Sequence, residues 1–190
     1  MKEAGLFSAR FRLARHGLGS LKFKLLALIG IFIALPFVIY WQLEEVDHKI
    51  NDANIVLIGD YHALAASQRY AATVIEKVAA KRPVVLCVEA VLARDQGILE
   101  SWWRREIGEE ELRKRLRFDR EWGYEWQPSY DLLSAARDHA EAIYGLHCMP
   151  RDDMRRIRSR DRHAAAKIGE ARREHPNAAI GVLFGESHLA

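Results

Sequence analysis

Residues 55–62 read IVLIGDYH, and residues 180–188 read IGVLFGESH. Each stretch carries a short aliphatic run into a glycine, and a histidine follows three positions later. Two further runs are equally brief, VVLCVE at 84–89 and IYGLHC at 143–148. Aliphatic runs without alternation are typical of strands covered on both faces. We therefore predict four buried strands, Ile55–Gly59, Val84–Glu89, Ile143–Cys148 and Ile180–Gly185.

Longer segments with helical periodicity separate these strands. They predict helices over Ser67–Lys81, Ala90–Trp103, Glu109–Leu116, Ser129–Ala142 and Ser159–His175. Ser129 follows a proline and is the expected N-cap of the fourth helix. Strands that alternate with helices favour βαβ units with right-handed crossovers. The predicted fold class is α/β, a mostly parallel sheet flanked by helices on both faces.

Composition narrows the possible functions. Of the 190 residues 49% are hydrophobic, enough for a packed core, and two cysteines are too few for a disulfide scaffold. If their strands are neighbours, Cys87 and Cys148 form either a disulfide or a pair of buried thiols. Residues 1–24 carry a net charge of about +5, so the rest of the chain is acidic although the whole carries +3. We therefore expect no nucleic-acid partner.

The N-terminal region predicts a membrane segment. Leu25–Trp41 reads LLALIGIFIALPFVIYW without a charge, and a helix of this length spans roughly 26 Å, at the short end for a bilayer. Basic residues precede it and acidic residues follow it, so residues 1–24 are the expected cytoplasmic arm. We predict a single-pass signal anchor of the inner membrane at 25–41, with residues 50–190 facing the periplasm or exterior. A cleaved signal peptide and a buried N-terminal helix remain open.

Polar side chains gather where the predicted strands end. These residues are Asp60, Tyr61 and His62 after the first strand, Glu89 at the end of the second, His147 to Arg151 at the third, and Glu186, Ser187 and His188 after the fourth. In an open parallel sheet, ligands bind beyond the carboxyl ends of the strands. We therefore expect these side chains to share one site.

Two chemistries fit this set of residues. His62, Glu89 and His188 supply two imidazoles and a carboxylate, which can hold a divalent metal and leave positions open to water or substrate. Asp60 or Glu186 could then orient an imidazole or act as a general base. The same histidines suit haem iron. Alternatively, Glu89 has only a structural role and forms a salt bridge with Arg160 or Arg162.

The stretch 102–130 combines aromatic side chains with many arginines. It predicts either two short amphipathic helices whose aromatics pack on the sheet, or a lid over the strand-end site. A lid would offer a flat apolar surface to a porphyrin and arginines to its propionates.

The ordered motifs resemble a known family. VLIGDYHALAASQR, VVLCVEAV, the helical pattern R-D-R-x-A-A-x-K-I from Arg160 to Ile168, and VLFGESHLA together resemble the ChaN-like haem-binding uptake domains. These belong to the superfamily that also contains Tiki proteins, TraB proteins and erythromycin esterases. The resemblance covers residues 50–190.

This resemblance implies an α/β fold with its site at the strand ends. It implies haem binding for iron acquisition in a bacterial envelope, across a homodimer. By position, His62, Glu89 and His188 form the core of the site, with Arg160 and Tyr61 beside it, and Tyr61 is a further candidate iron ligand. Family members usually carry glutamate where Asp60 stands and continue after the second motif. The resemblance therefore implies either that the chain is truncated at its C-terminus or that His188 lies on a frayed terminus.

Three functions follow from these observations. The first is a haem- or iron-binding protein of the cell envelope. The second is a metal-dependent hydrolase, a protease or esterase, that holds Mn, Zn or Co through His62, Glu89 and His188 and moves a proton through Glu186 or Asp60. The third is an interaction module without catalysis. The first two need the same residues at the same cleft, so the sequence does not separate them.

Overall fold

The computed structural model describes residues 3–148 and 157–188, with side chains from Lys24 onward except Phe37. The chain divides into two compact units, Met1–His48 and Lys49–Ala190. Two sequence expectations lie outside the described residues. They concern the side chains of the basic arm up to residue 23, and the exit of the third strand at 149–151.

Helix α1 runs from Glu3 to Asp52 and contains Pro36 without ending there. Its segment Lys24–Asp52 is long and apolar enough to cross a membrane, with a mean hydropathy of 2.2 in its most apolar part. Large apolar side chains on it are exposed, among them Leu26 and Phe32. The predicted apolar span Leu25–Trp41 lies inside this segment, which continues past the predicted end.

Four parallel strands form one sheet in the order β1-β4-β2-β3. The strands are β1 Ile55–Asp60, β2 Val84–Leu92, β3 Ala142–His147 and β4 Ala179–Gly185. Because all four run in the same direction, their carboxyl ends meet at one edge of the sheet. There Asp60 lies opposite Gly185 across the β1–β4 pair. The parallel sheet is confirmed.

In the described part of the second unit there are six α-helices: α2 Ala65–Ala79, α3 Gln96–Trp103, α4 Glu109–Arg115, α5 Phe118–Glu121, α6 Trp126–His139 and α7 Ile157–Glu174. Helices α2 and α6 pack against each other and bury Leu86 and Val88 of β2. The alternate residues Val85 and Cys87 belong to a second core cluster that includes Ala164 and Ala171 of α7. Successive strand residues point to opposite faces, so helices cover both faces, as predicted.

Two predicted boundaries are wrong. Ala90 does not begin a helix, because β2 continues to Leu92 through a register shift against β3 after Val88. Ser129 is not an N-cap. It lies buried inside α6, which begins at Trp126 after Glu125. The proline at 128 is compatible with this earlier start, because the first turn of a helix does not need its N–H groups for internal hydrogen bonds.

The two edges of the sheet differ. At the β3 edge, Gln96 Nε2 donates to the Ile143 carbonyl over 2.9 Å, and the Gly145 N–H donates to Gln96 Oε1 over 3.0 Å. At the other edge, Ile55 and Leu57 of β1 are 44% and 57% exposed. Helix α7 packs on β3 and β4. The apolar face of β1 that carries Ile55 and Leu57 is therefore open.

Candidate functional site

A buried carboxylate lies at the centre of the strand-end site. Glu89 is 3% exposed, and its Oε2 accepts the backbone N–H of Gly185 over 2.6 Å. A Cβ atom at position 185 would lie 2.9 Å from Glu89 Oε2 and 3.1 Å from His62 Nε2. These distances are below normal contact. The position therefore needs glycine for space.

Three imidazoles surround this carboxylate. His62 Nε2 lies 3.9 Å from Glu89 Oε2, and His188 Nε2 lies 3.6 Å from Oε1. His147 Nδ1 lies 4.0 Å from the same oxygen, Oε1. The side chains of His147 and His188 are almost wholly buried, whereas the side chain of His62 is 20% exposed. His62 is thus the imidazole most open to a ligand.

Two further carboxylates, Asp60 and Asp161, contact the imidazoles of His62 and His188 at Nδ1. His62 Nδ1 lies 2.9 Å from Asp60 Oδ2, and Gln68 Nε2 donates to the other oxygen of Asp60 over 2.8 Å. His188 Nδ1 lies 2.6 Å from Asp161 Oδ1. A carboxylate only accepts hydrogen bonds, so each of these contacts favours the tautomer with the proton on Nδ1 and leaves Nε2 to face Glu89. This arrangement suits proton transfer or ligation at Nε2.

The predicted core residues His62, Glu89 and His188 therefore lie together. The alternative salt bridge of Glu89 is not formed, because in the described part of the chain its neighbours are the Gly185 N–H and the imidazoles. Arg160 lies buried on α7, and its charge lowers the pKa of Cys148, against the larger upward effect of burial.

Tyr61 and Glu186 form a separate pair at the rim of the site. The phenol of Tyr61 is exposed, and a hydrogen bond to Glu186, followed by the charge of that carboxylate, raises its pKa above 10.0. Glu186 follows β4 and Tyr61 follows β1. The pair therefore links the two glycine–histidine motifs across the sheet edge.

Sequence reasoning placed His147 at a strand end without giving it a role, and it did not assign Asp161 to the site. His147 ends β3, and the position of a strand end was the signal that pointed to it. Asp161 lies on α7, directly after Arg160. No local pattern separates it from the other charged residues of that helix.

The aromatic stretch packs on the sheet, as one of the two predictions states, and part of it also contacts His62. Trp102, Phe118 and Trp126 are buried in the core. Trp122 and Tyr124 instead contact His62, with ring centroids 4.6 Å and 5.1 Å away. Between those two, Gly123 has a φ of +77°, a conformation that favours glycine. The stretch thus packs on the sheet and also forms one wall of the site.

The arginines of this stretch pair with neighbouring carboxylates. Arg113 lies 2.8 Å from Asp119, and Arg117 lies 2.8 Å from Asp95. These pairs are local to the helical stretch. The predicted role of its arginines as propionate ligands therefore has no support from their contacts.

A cavity of about 270 Å³ opens beside His62. It is lined by Gln68 of α2, by Tyr124 and by Glu125 at the start of α6, among others. Pockets that enclose drug-sized ligands measure about 300–1,000 Å³. A small group could enter here, whereas a porphyrin would have to lie across the mouth.

Neither a metal site nor a disulfide is found among residues 3–148 and 157–188. No three His, Cys, Asp or Glu side chains there are arranged to hold a metal ion. Cys87 and Cys148 are both free thiols, although β2 and β3 are neighbours. Of the two predicted alternatives the thiols are present, with Cys87 buried and Cys148 partly exposed.

The fold and site define a class of protein, an α/β domain whose parallel sheet ends in a buried glutamate between histidines. The family described as haem-binding uptake, Tiki superfamily, ChaN matches residues 46–188. The chain belongs to this family, which confirms the resemblance drawn from the motifs. No curated protein matches the chain in sequence.

Solved structures resemble this chain, and those with a TM-score above 0.5 share its fold. The type III effector HopBA1 is 18% identical, with a TM-score of 0.57, over 74% of this chain and 70% of that chain. RRSP, a MARTX toxin effector domain from Vibrio vulnificus CMCP6, is 18% identical with a TM-score of 0.54, over 76% of this chain and 30% of that chain. ChaN of Campylobacter jejuni, solved with cofacially bound haem, is 11% identical with a TM-score of 0.49, over 75% of this chain and 74% of that chain.

Proposed function

We propose that this protein binds haem at the strand-end site and serves iron acquisition in a bacterial cell envelope. The observation that carries the proposal is the exposed side chain of Tyr61, which follows the open apolar face of β1 and precedes the partly exposed His62 in sequence. Phenolate and imidazole both bind haem iron. The description of the family supports the same ligand.

The surface around Tyr61 suits a flat apolar ligand. Ile55 and Leu57 lie on the open face of β1. Tyr61 and Leu64, which follow the strand in sequence, are also exposed. Haem bound here would supply an iron centre, for which a phenolate or an imidazole is a suitable ligand. Tyr61, His62 and His188 are the residues that we propose for contact with haem, and buried Arg160 is proposed for charge compensation of a propionate.

A second copy of the chain would cover the same open face. A flat ligand on β1 leaves one of its own faces exposed, and burial of that face against another apolar surface is favourable. The expected homodimer therefore remains part of the proposal. Sedimentation with and without haemin tests it, since haemin should then raise the mass from monomer to dimer.

The haem proposal is tested by titration of the full chain in mild detergent with haemin. We expect a saturable Soret shift that is weakened in Tyr61→Phe and in His62→Ala. Tyr70→Phe and His139→Ala are matched controls, because both residues are exposed on helices. No Soret shift in the unmodified chain would contradict the proposal.

A hydrolase is the second candidate, and one specific observation favours it. Both His62 and His188 have their Nδ1 held by a carboxylate and their Nε2 turned to Glu89, an arrangement in which imidazoles serve as general bases. In the metal-dependent version His62, Glu89 and His188 would hold Mn, Zn or Co, and they would have to move closer together to do so, because in this structure they are not arranged to hold a metal ion. Asp60 or Glu186 would handle the proton.

Metal content and cleavage assays separate the candidates. The chain should carry bound Mn, Zn or Co, and a chelator should abolish cleavage of ester or peptide substrates. Turnover that resists the chelator would support acid–base catalysis without metal. Absence of haem binding, metal and turnover together would leave an interaction module.

We also propose that α1 anchors the domain in the inner membrane as a single pass. The apolar segment Lys24–Asp52 supports this, together with the basic residues that precede it. Residues 1–24 would then lie in the cytoplasm and residues 50–190 in the periplasm or outside the cell. Protease added to intact spheroplasts should digest the domain and spare the N-terminal arm, and the reverse pattern would contradict this orientation.

A further inference from the structure

The two glycine–histidine motifs use different carboxylates to orient their histidines. In the first motif, Asp60 stands two residues before His62 and contacts its Nδ1. In the second motif, Glu186 stands two residues before His188, but its carboxylate interacts with Tyr61, whose pKa it raises. The acid that reaches His188 Nδ1 is Asp161, 27 residues upstream on α7 and 2.6 Å away.

We propose that Asp161 is a positioning residue, which holds the His188 ring with Nε2 directed at Glu89. The inference deepens the proposed function, because it concerns the same site, but it does not depend on which ligand the site takes. The carboxylate that orients His188 therefore comes from α7 and not from the second motif itself.

Of the groups around His188, Asp161 is the one that determines which ring nitrogen carries the proton. The ring of Phe184 packs on the imidazole, with centroids 4.5 Å apart, and this contact fixes the plane of the ring without distinguishing its nitrogens. Glu89 lies 3.6 Å from Nε2. Without an acceptor at Nδ1, the proton can move to Nε2, where it would face Glu89 and block that atom as a base or ligand.

Asp161→Asn is the sharpest variant, because it keeps the shape of the side chain. An asparagine amide can donate to Nδ1, and this change is known to impose the wrong imidazole tautomer in a Ser-His-Asp triad. Asp161→Ala removes the contact altogether. Glu170→Gln is the matched control on the same helix, where Glu170 pairs with Lys167 over 2.7 Å.

The test reads the ring nitrogens directly. The full chain is labelled with ¹⁵N-histidine in mild detergent, and long-range ¹H–¹⁵N correlations show which nitrogen carries the proton. The signal that His188→Gln removes identifies His188. We expect Nδ1–H in the wild type and in Glu170→Gln, and a shift of most of the population to Nε2–H in Asp161→Asn.

Each outcome decides the proposal. An Nε2–H tautomer in the wild type would overturn it, even if Asp161→Asn does not fold. An unchanged tautomer in a folded Asp161→Asn would also overturn it. Haemin titration of the same samples keeps the two proposals apart, because a tautomer shift without any haemin binding would overturn only the haem proposal.

Discussion

The N–H of Gly185 and the Oε2 atom of Glu89 form a 2.6 Å hydrogen bond across 96 positions of the sequence. The bond joins the end of β4 to the irregular part of β2, between Val88 and Leu92. It also satisfies one oxygen of a carboxylate that is 3% exposed. Burial of such a group without partners would be costly, so the site depends on this contact for its stability as well as its geometry.

Gly185→Ala should damage both the fold and the site. The added methyl group would lie 2.9 Å from Glu89 Oε2 and 3.1 Å from His62 Nε2, and overpacking of this kind lowers the free energy of unfolding by about 1–3 kcal/mol. Urea unfolding measures the loss. Gly97→Ala on α3 is the control, because nothing lies within 4 Å of its added Cβ. Equal stability of Gly185→Ala and wild type would contradict the packing described.

Glu89→Gln and Glu89→Ala should separate charge from hydrogen bonding. Glutamine keeps an acceptor for the Gly185 N–H but removes the negative charge between the imidazoles, so ligand binding should fall while the fold persists. Alanine leaves the buried N–H unsatisfied, at a cost of about 1–3 kcal/mol. Urea unfolding and haemin titration of both variants check this. Glutamine as destabilising as alanine would argue against it.

Glu186→Gln should lower the pKa of Tyr61 toward 10.0, because the hydrogen bond to the Glu186 carboxylate, and then its charge, raise that pKa. A raised pKa in the folded state means that the pair stabilises the fold below pH 10, and that this contribution is lost as the pH rises further. Phenolate absorbance during alkaline titration measures the change, with Tyr61→Phe identifying the signal. An unchanged titration of Tyr61 would show that the pair does not form.

Cys148 should react with thiol reagents before Cys87. Burial raises the pKa of Cys87 to about 12, and only the thiolate is reactive. Cys148 is partly exposed, and its smaller rise in pKa from burial is opposed by the charge of Arg160. Alkylation followed by mass spectrometry should label Cys148 in the native chain and Cys87 only after denaturation. Labelling of Cys87 at equal speed would contradict its burial.

The strands and the site core were predictable because they rest on local patterns. The aliphatic runs at 55–59 and 180–185 have a single interpretation in an α/β chain, and glycine followed by histidine marks the strand ends. The end of β2 was not predictable, since Ala90 to Leu92 suit a helix as well as a strand. Only pairing with β3 decides between the two.

The rest of the site depends on contacts distant in sequence. Asp161 is one charged residue among many on α7, and only the fold brings it to His188. The motif also gives no sign that Glu186 interacts with Tyr61 and not with His188. Ligand identity stays a proposal, because histidines around a glutamate serve haem, metal and acid–base chemistry alike.

The side chain of Gln96 occupies the place that a fifth strand would take beside β3. An incoming backbone would have to displace both of its hydrogen bonds before it could extend the sheet on that side. A strand from another chain would therefore add to the sheet at β1, either in an oligomer or in an aggregate. Strand β1 is the edge next to Tyr61. Self-association and ligand binding would therefore use the same exposed residues, Ile55, Leu57 and Tyr61.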